Sequence, residues 1–281
     1  MVNWAQLKAK KTEAMPLDLI VFGSSGSGKS SLIGTMGLDT LILHGTREHH
    51  SVANAQHRNR VWAAENEVDA PNITGVDYVV LDDKGSTNFN ASYKNLLALL
   101  RDSTIADNFK AVVLDGWYEL QGIVQNTDAW REYCATDRGG HNKYKEGEAT
   151  QHLFNEVRNA LLNLRRKGLH VVTTCTAVQV NNPEDPTDIQ AKPALMGFNT
   201  AEMLTGGFAD VLFITTIRTD NEYYHKLVFN ATVGIESKDE KGKVKKVSFS
   251  NFKPRISGMG ELPDICTPDL SKLIRARKEV I

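Results

Sequence analysis

The chain has 281 residues, is 41% hydrophobic, and sets 33 Lys+Arg against 34 Asp+Glu for a formal charge of −1. That length buries a full core, most simply one large α/β domain with insertions or a small appendage. The balanced charge excludes a global positive field, so a nucleic-acid surface has to be a local patch or arise on assembly. Cys134, Cys175 and Cys266 are too far apart for a CxxC pair and too few for a disulfide framework, which points to a reducing, cytoplasmic interior. No apolar run approaches the roughly 18 residues of a spanning helix, so no membrane is expected.

Residues 1–16 read as a polar lead-in able to form a short amphipathic helix on Trp4, Leu7 and Met15, closed by Pro16. Leu19, Ile20, Val21 and Phe22 then form a short apolar run suited to a buried strand, and Ser30-Ser31-Leu32-Ile33 can open a helix. Between them lies Gly23-Ser24-Ser25-Gly26-Ser27-Gly28-Lys29-Ser30-Ser31, in which Gly23, Gly28, Lys29 and Ser30 match every fixed position of G-x-x-x-x-G-K-[ST]. Strand, glycine-rich turn and helix turn successive backbone N–H groups toward an anion at the positive end of a helix. Residues 23–31 are therefore expected to cradle the phosphates of a nucleoside triphosphate. Lys29 would reach the β- and γ-phosphates, and the Ser30 hydroxyl would coordinate Mg²⁺.

Residues 40–43, TLIL, predict a second strand, followed by the polar segment HGTREHHSV. Ala53–Val68 predicts a helix that Pro71, Asn72 and Gly75 break, and Tyr78–Leu81 predicts a third strand. Phe89, Tyr93, Leu96, Leu97 and Leu100 share one helical face, predicting a helix over 89–101. Ala111–Leu114 is a buried-type strand that delivers Asp115 to its end. A phosphate-binding loop needs a second acid to hold the Mg²⁺ shell, and Asp115 is the preferred Walker B candidate over Asp82 or Asp83 after Val79-Val80-Leu81.

Residues 126–149 are polar and glycine-broken, with Trp130, Tyr133 and Tyr144 interleaved among Arg131, Arg138, Lys143 and Lys145, a pattern that suits base stacking and equally suits a solvated face. Leu153, Phe154, Val157, Leu161 and Leu164 mark another helical face ending in RRKG. Leu169–Thr174 is the next strand, and 178–199, with three prolines, reads as a loop. Asp210–Ile217 and Tyr223–Phe229 read as a hairpin, 236–248 as an exposed hairpin or loop, and the chain closes on a short basic helix. The pattern predicts an α/β fold with a mostly parallel central sheet and an antiparallel edge, its ligand at the carboxyl ends of the parallel strands.

Hydrolysis needs a group to orient water, and Glu48, past the second strand, and Glu119, four residues past Asp115, are the carboxylates placed to do so. Thr174, Thr176 and Gln179 are candidates to sense a γ-phosphate, and Arg138, Lys192 and Arg218 to serve a neighbour's nucleotide. His44, His49, His50 and His57 do not have the spacing of a zinc site.

The order of these blocks resembles phage-encoded RecA-like P-loop ATPases associated with single-strand annealing and recombination. The similar pieces are LIVFGSSGSGKSSL, TLIL, AVVLDGWYELQ, FNEVRNALLNLRRKGLHVVTTCTA and KPALMGFNTAEMLTGGFADVLFIT, spanning roughly residues 17–230. The resemblance implies a RecA-like core with helices on both sheet faces, using ATP and Mg²⁺ on single-stranded DNA. It also implies a single-stranded-DNA-binding protein as partner, a homo-oligomer, and the cytoplasm of a bacterial host. The expected division is a lead-in at 1–16, the ATPase core at 17–232 and a C-terminal extension at 233–281. The family commonly carries acids around the end of the second strand; here His44 takes the first such place and Glu48 is the acid nearby. A motor or assembly ATPase, a non-catalytic nucleotide-regulated module and a small-molecule phosphotransferase are the alternatives.

Overall fold

The structure is a computed structural model that describes residues 16–45, 49–136, 139–181, 188–195, 200–218, 223–228, 237–238, 244–248 and 265–279. In chain order the strands are β1 (Asp18–Gly23), β2 (Thr40–His44), β3 (Ile73–Asp77), β4 (Ala111–Asp115), β5 (His170–Asn181), β6 (Asp188–Pro193), β7 (Asp210–Arg218), β8 (Tyr223–Val228), β9 (Ser237–Lys238), β10 (Val244–Ser248) and β11 (Ile265–Cys266). The helices are α1 (Lys29–Ile33), α2 (His49–Glu65), α3 (Phe89–Arg101), α4 (Ile105–Asn108), α5 (Trp117–Val124), α6 (Asp128–Cys134), α7 (Glu146–Arg166), α8 (Thr200–Gly206) and α9 (Leu270–Glu279).

The sheet order is β11-β8-β7-β1-β5-β4-β2-β3. From β7 to β3 every neighbouring pair is parallel, whereas β8 and β11 add an antiparallel edge. Side chains alternate across this sheet. Ile20, Phe22, Leu41, Leu43, Val112 and Leu114 enter one core with α3, α5 and α7. Leu19, Val21, Ile42, Ala111 and Val113 enter a second core with α1, α2 and α9. Period-two burial on both sides of near-continuous apolar strands makes a parallel sheet covered by helices on both faces. This is the architecture expected of a RecA-like P-loop core.

Two expectations are corrected, and the polar stretch 126–149 gains a helix. The third strand is Ile73–Asp77, ahead of the predicted Tyr78–Leu81. Gly75, read as a breaker, is the residue that lets β3 lie under α2, since a Cβ there would meet Val52 Cγ2 at 2.7 Å. Tyr78 N–H still bonds the His44 carbonyl at 3.1 Å, but Val80 N–H turns away to Ser92 Oγ at 2.9 Å. The polar stretch 126–149 contains α6, whose Thr127 caps it by accepting from Trp130 N–H at 3.2 Å. The predicted loop from 178 instead continues β5 to Asn181 and returns antiparallel as β6.

The stretch beyond residue 233 contributes to the core. Leu270, Leu273 and Ile274 of α9 are buried against β1 and α1. Leu270 N–H bonds Thr35 Oγ1 at 2.8 Å, and Trp62 Nε1–H reaches Ser271 Oγ at 3.2 Å. Of the predicted lead-in at 1–16, residues 1–15 lie outside the described residues.

Candidate nucleotide-binding site

The loop from Gly23 to Ser30 leaves the carboxyl end of β1, an interior strand between β7 and β5. Gly23 lies so close to β7 that a Cβ would meet the Ile214 carbonyl at 2.4 Å and Ser27 Oγ at 2.6 Å. Gly28 caps α1 with φ of 92°, the left-handed region that favours glycine. The loop therefore closes tightly over its own backbone and opens α1 at Lys29.

Lys29 Nζ donates to the carbonyls of Gly23 and Ser24 at 2.8 and 2.9 Å, which folds the ammonium over the loop. A cavity of about 280 Å³ adjoins it, lined by Ser25, Gly26, Gly28, Lys29, Ser30 and Ser31 from the loop. Its far wall carries Asp115, Gly116, Thr174 and Thr176. Asp115 and the loop are thus brought to one cavity by β4 and β1, with β5 between them.

Asp115 is buried, and its Oδ1 accepts a short hydrogen bond from Thr174 Oγ1. The same threonine hydroxyl accepts from Gly116 N–H at 3.0 Å, so Thr174 holds the turn that carries the carboxylate. Ser30 Oγ donates to Ser51 Oγ of α2 at 2.9 Å. A serine hydroxyl and a carboxylate are hard oxygen donors and suit Mg²⁺, which binds few protein groups and completes its shell with phosphate and water. No group of three or more His, Cys, Asp or Glu gathers into a metal cage among the described residues.

Glu119 stands in the first turn of α5, reaching the end of β2: a Cβ on Gly45 would meet its carboxyl carbon at 2.2 Å. Its carboxylate therefore lies on the bare Cα of Gly45, beside His44, the place where acids were expected. Glu119 lines a second cavity of about 490 Å³ that shares Gly116 and Thr176 with the first. Glu48 lies outside the described residues, as does Arg138. The Asp82 alternative has left the sheet, and its Oδ1 accepts from Lys84 and Ser86 N–H at 2.9 and 2.8 Å in an exposed turn. Gln179 pairs with Ala191 between β5 and β6, and Lys192 is exposed on β6.

Sequence reasoning missed His50, Ser51 and Asn54 of α2, Gly116 after β4 and His225 of β8. His50 and Ser51 lie in the polar segment after β2 and Asn54 just beyond it, so these three do carry a signal. His225 carries none, because only the strand order brings β8 to the loop.

No family profile matches the sequence, and no curated protein matches it. Among solved structures, the chain is similar to the KaiC-like protein PH0186 from Pyrococcus horikoshii OT3, at 12% identity over 77% of this chain and 78% of that one, with a TM-score of 0.40. It is also similar to the flagellar accessory protein FlaH from Methanocaldococcus jannaschii, at 9% identity over 89% of this chain and 92% of that one, with a TM-score of 0.39. Likeness at this level carries no argument about activity, which has to come from the site.

Proposed function

We infer that the protein binds ATP with Mg²⁺ and hydrolyses it. The single observation that carries this reading is that one cavity is walled by Gly28, Lys29 and Ser30 of the phosphate-loop motif on one side and by Asp115 on the other. The α1 N-terminus and the loop N–H groups hold the phosphate chain, and Lys29 exchanges the Gly23 and Ser24 carbonyls for phosphate oxygens. Ser30 and Asp115 would hold Mg²⁺, which supplies neutralisation of the charge on the phosphates. Thr174 keeps the Asp115 carboxylate aimed at the cavity through its hydroxyl.

In hydrolysis a water oxygen forms a bond to the γ-phosphorus as the bridging P–O bond to the β-phosphate breaks, leaving ADP and phosphate. Glu119 is the carboxylate we assign to orient that water and accept its proton. Its position over Gly45, in a cavity continuous in lining with the phosphate site at Gly116 and Thr176, supports the assignment. Glu119→Gln should then lower turnover about 100-fold, within the range for a general base, and leave ATP affinity unchanged. Turnover at the wild-type rate would move the role to Glu48.

A role on single-stranded DNA, the finer reading that the resemblance implies, is favoured by one surface feature. Tyr144 is 95% exposed between the exposed Lys143 and Lys145, a ring and two cations open to a stacked base and its phosphates. Trp130 and Tyr133 of the same segment are engaged elsewhere, with Thr150 at 3.0 Å and stacked on His152 respectively. ATPase rates with and without single-stranded DNA separate this reading from a motor or assembly ATPase indifferent to it. Stimulation that Tyr144→Ala abolishes supports DNA as the partner; a DNA-independent rate contradicts it.

A further inference from the structure

The parallel sheet gives the phosphate loop two unlike flanks. On one side of β1, across β5, stands Asp115 of β4; on the other, across β7, stands His225 of β8. Both line the same cavity. The His225 ring lies directly over Gly28: a Cβ on that glycine would meet its Cγ, Cδ2 and Nδ1 at 3.0, 3.1 and 3.2 Å. Nδ1 is engaged by Thr216 Oγ1 of β7 at 3.1 Å, which fixes the ring plane from the neighbouring strand. Nε2 is then the ring nitrogen left to serve the cavity.

These flanks orient a nucleotide. The metal-binding pair Ser30 and Asp115 draws the β- and γ-phosphates toward β4, so the nucleoside extends the other way, toward β8. Gly28 belongs to the part of the loop whose N–H groups cradle the α- and β-phosphates. Resting on the ATP reading above, we propose that His225 is a nucleotide-binding residue whose Nε2 hydrogen-bonds the α-phosphate or ribose of the bound nucleotide. The β7–β8 hairpin thereby forms the nucleoside wall of the site, and Thr216 is the positioning residue that presents the ring.

The contact precedes the γ-phosphate, so it acts on ATP and ADP alike. Calorimetric titration of His225→Ala with Mg-ATP and Mg-ADP should show both affinities falling by a common factor of about ten, the scale of one charge-assisted hydrogen bond. The melting temperature without nucleotide should stay at the wild-type value, separating a lost contact from a damaged fold. His225→Gln, whose amide nitrogen can approach the Nε2 position, should recover part of the loss for both nucleotides, and it decides the question if the alanine variant does not fold. Wild-type affinity for both nucleotides in these variants would overturn the proposal, as would a loss confined to ATP, which would put the ring at the γ-phosphate. Wild-type protein that binds neither nucleotide would instead overturn the ATP reading itself.

Discussion

Within β5, three successive residues have separate duties. Thr174 hydrogen-bonds Asp115, Thr176 lines both cavities, and Cys175 between them points into the core beneath. Burial pushes the Cys175 thiol up to about 12, with the Lys29 ammonium pulling weakly the other way. A thiol reacts as its thiolate, and with the value raised that form is scarce at neutral and mildly alkaline pH. Peptide mapping after iodoacetamide treatment at pH 8 should find Cys175 unmodified in native protein and modified once denaturant is added. Rapid labelling of the native protein would contradict its placement.

At the scale of elements, the sequence was most legible where burial follows a strict period. β1, β4 and α3 fall at or within one residue of their expected bounds because their apolar residues face one or two cores. β3 escapes the pattern because its sequence, ITGVD, has a glycine whose value lies in contact with Val52, a partner invisible in the chain. The chemistry divides similarly. The phosphate loop and Asp115 announce themselves by local pattern, and the structure sets them on one cavity. His225 sits in a short strand, YYHKLV, that carries no motif, and it reaches the loop only through β7. Glu119 was legible as a candidate from its distance to Asp115, whereas its approach to Gly45 depends on how β2 and β4 pair.

For the whole molecule, two buried ion pairs tie distant segments to the rim of the sheet opposite the phosphate loop. Asp18, at the start of β1, accepts from Arg158 Nη2 of α7 at 2.6 Å, and Arg158 also reaches the Gly207 carbonyl at 2.6 Å. Asp210, at the start of β7, pairs with Arg277 of α9 and accepts from Asp18 N–H at 3.2 Å. α9 is thus fastened by charge as well as by Leu270, Leu273 and Ile274. Arg277→Met leaves the buried Asp210 carboxylate without its cation and should cost about 3 kcal/mol in urea unfolding. A change below about 0.5 kcal/mol, the size of an ordinary surface substitution, would show that the pair does not secure α9.

On the reading proposed above, the cavity between the phosphate loop and Asp115 turns over ATP with Mg²⁺. The most direct measurement is phosphate release from ATP by purified wild type and Asp115→Asn across a Mg²⁺ titration. The asparagine can still accept from Thr174 but offers Mg²⁺ no charge. Wild type should release phosphate in a Mg²⁺-dependent way, and the variant should lose that release with its melting temperature retained. Equal release by the two proteins would contradict the assignment of Asp115, and no release by wild type at any Mg²⁺ concentration would contradict the ATPase itself.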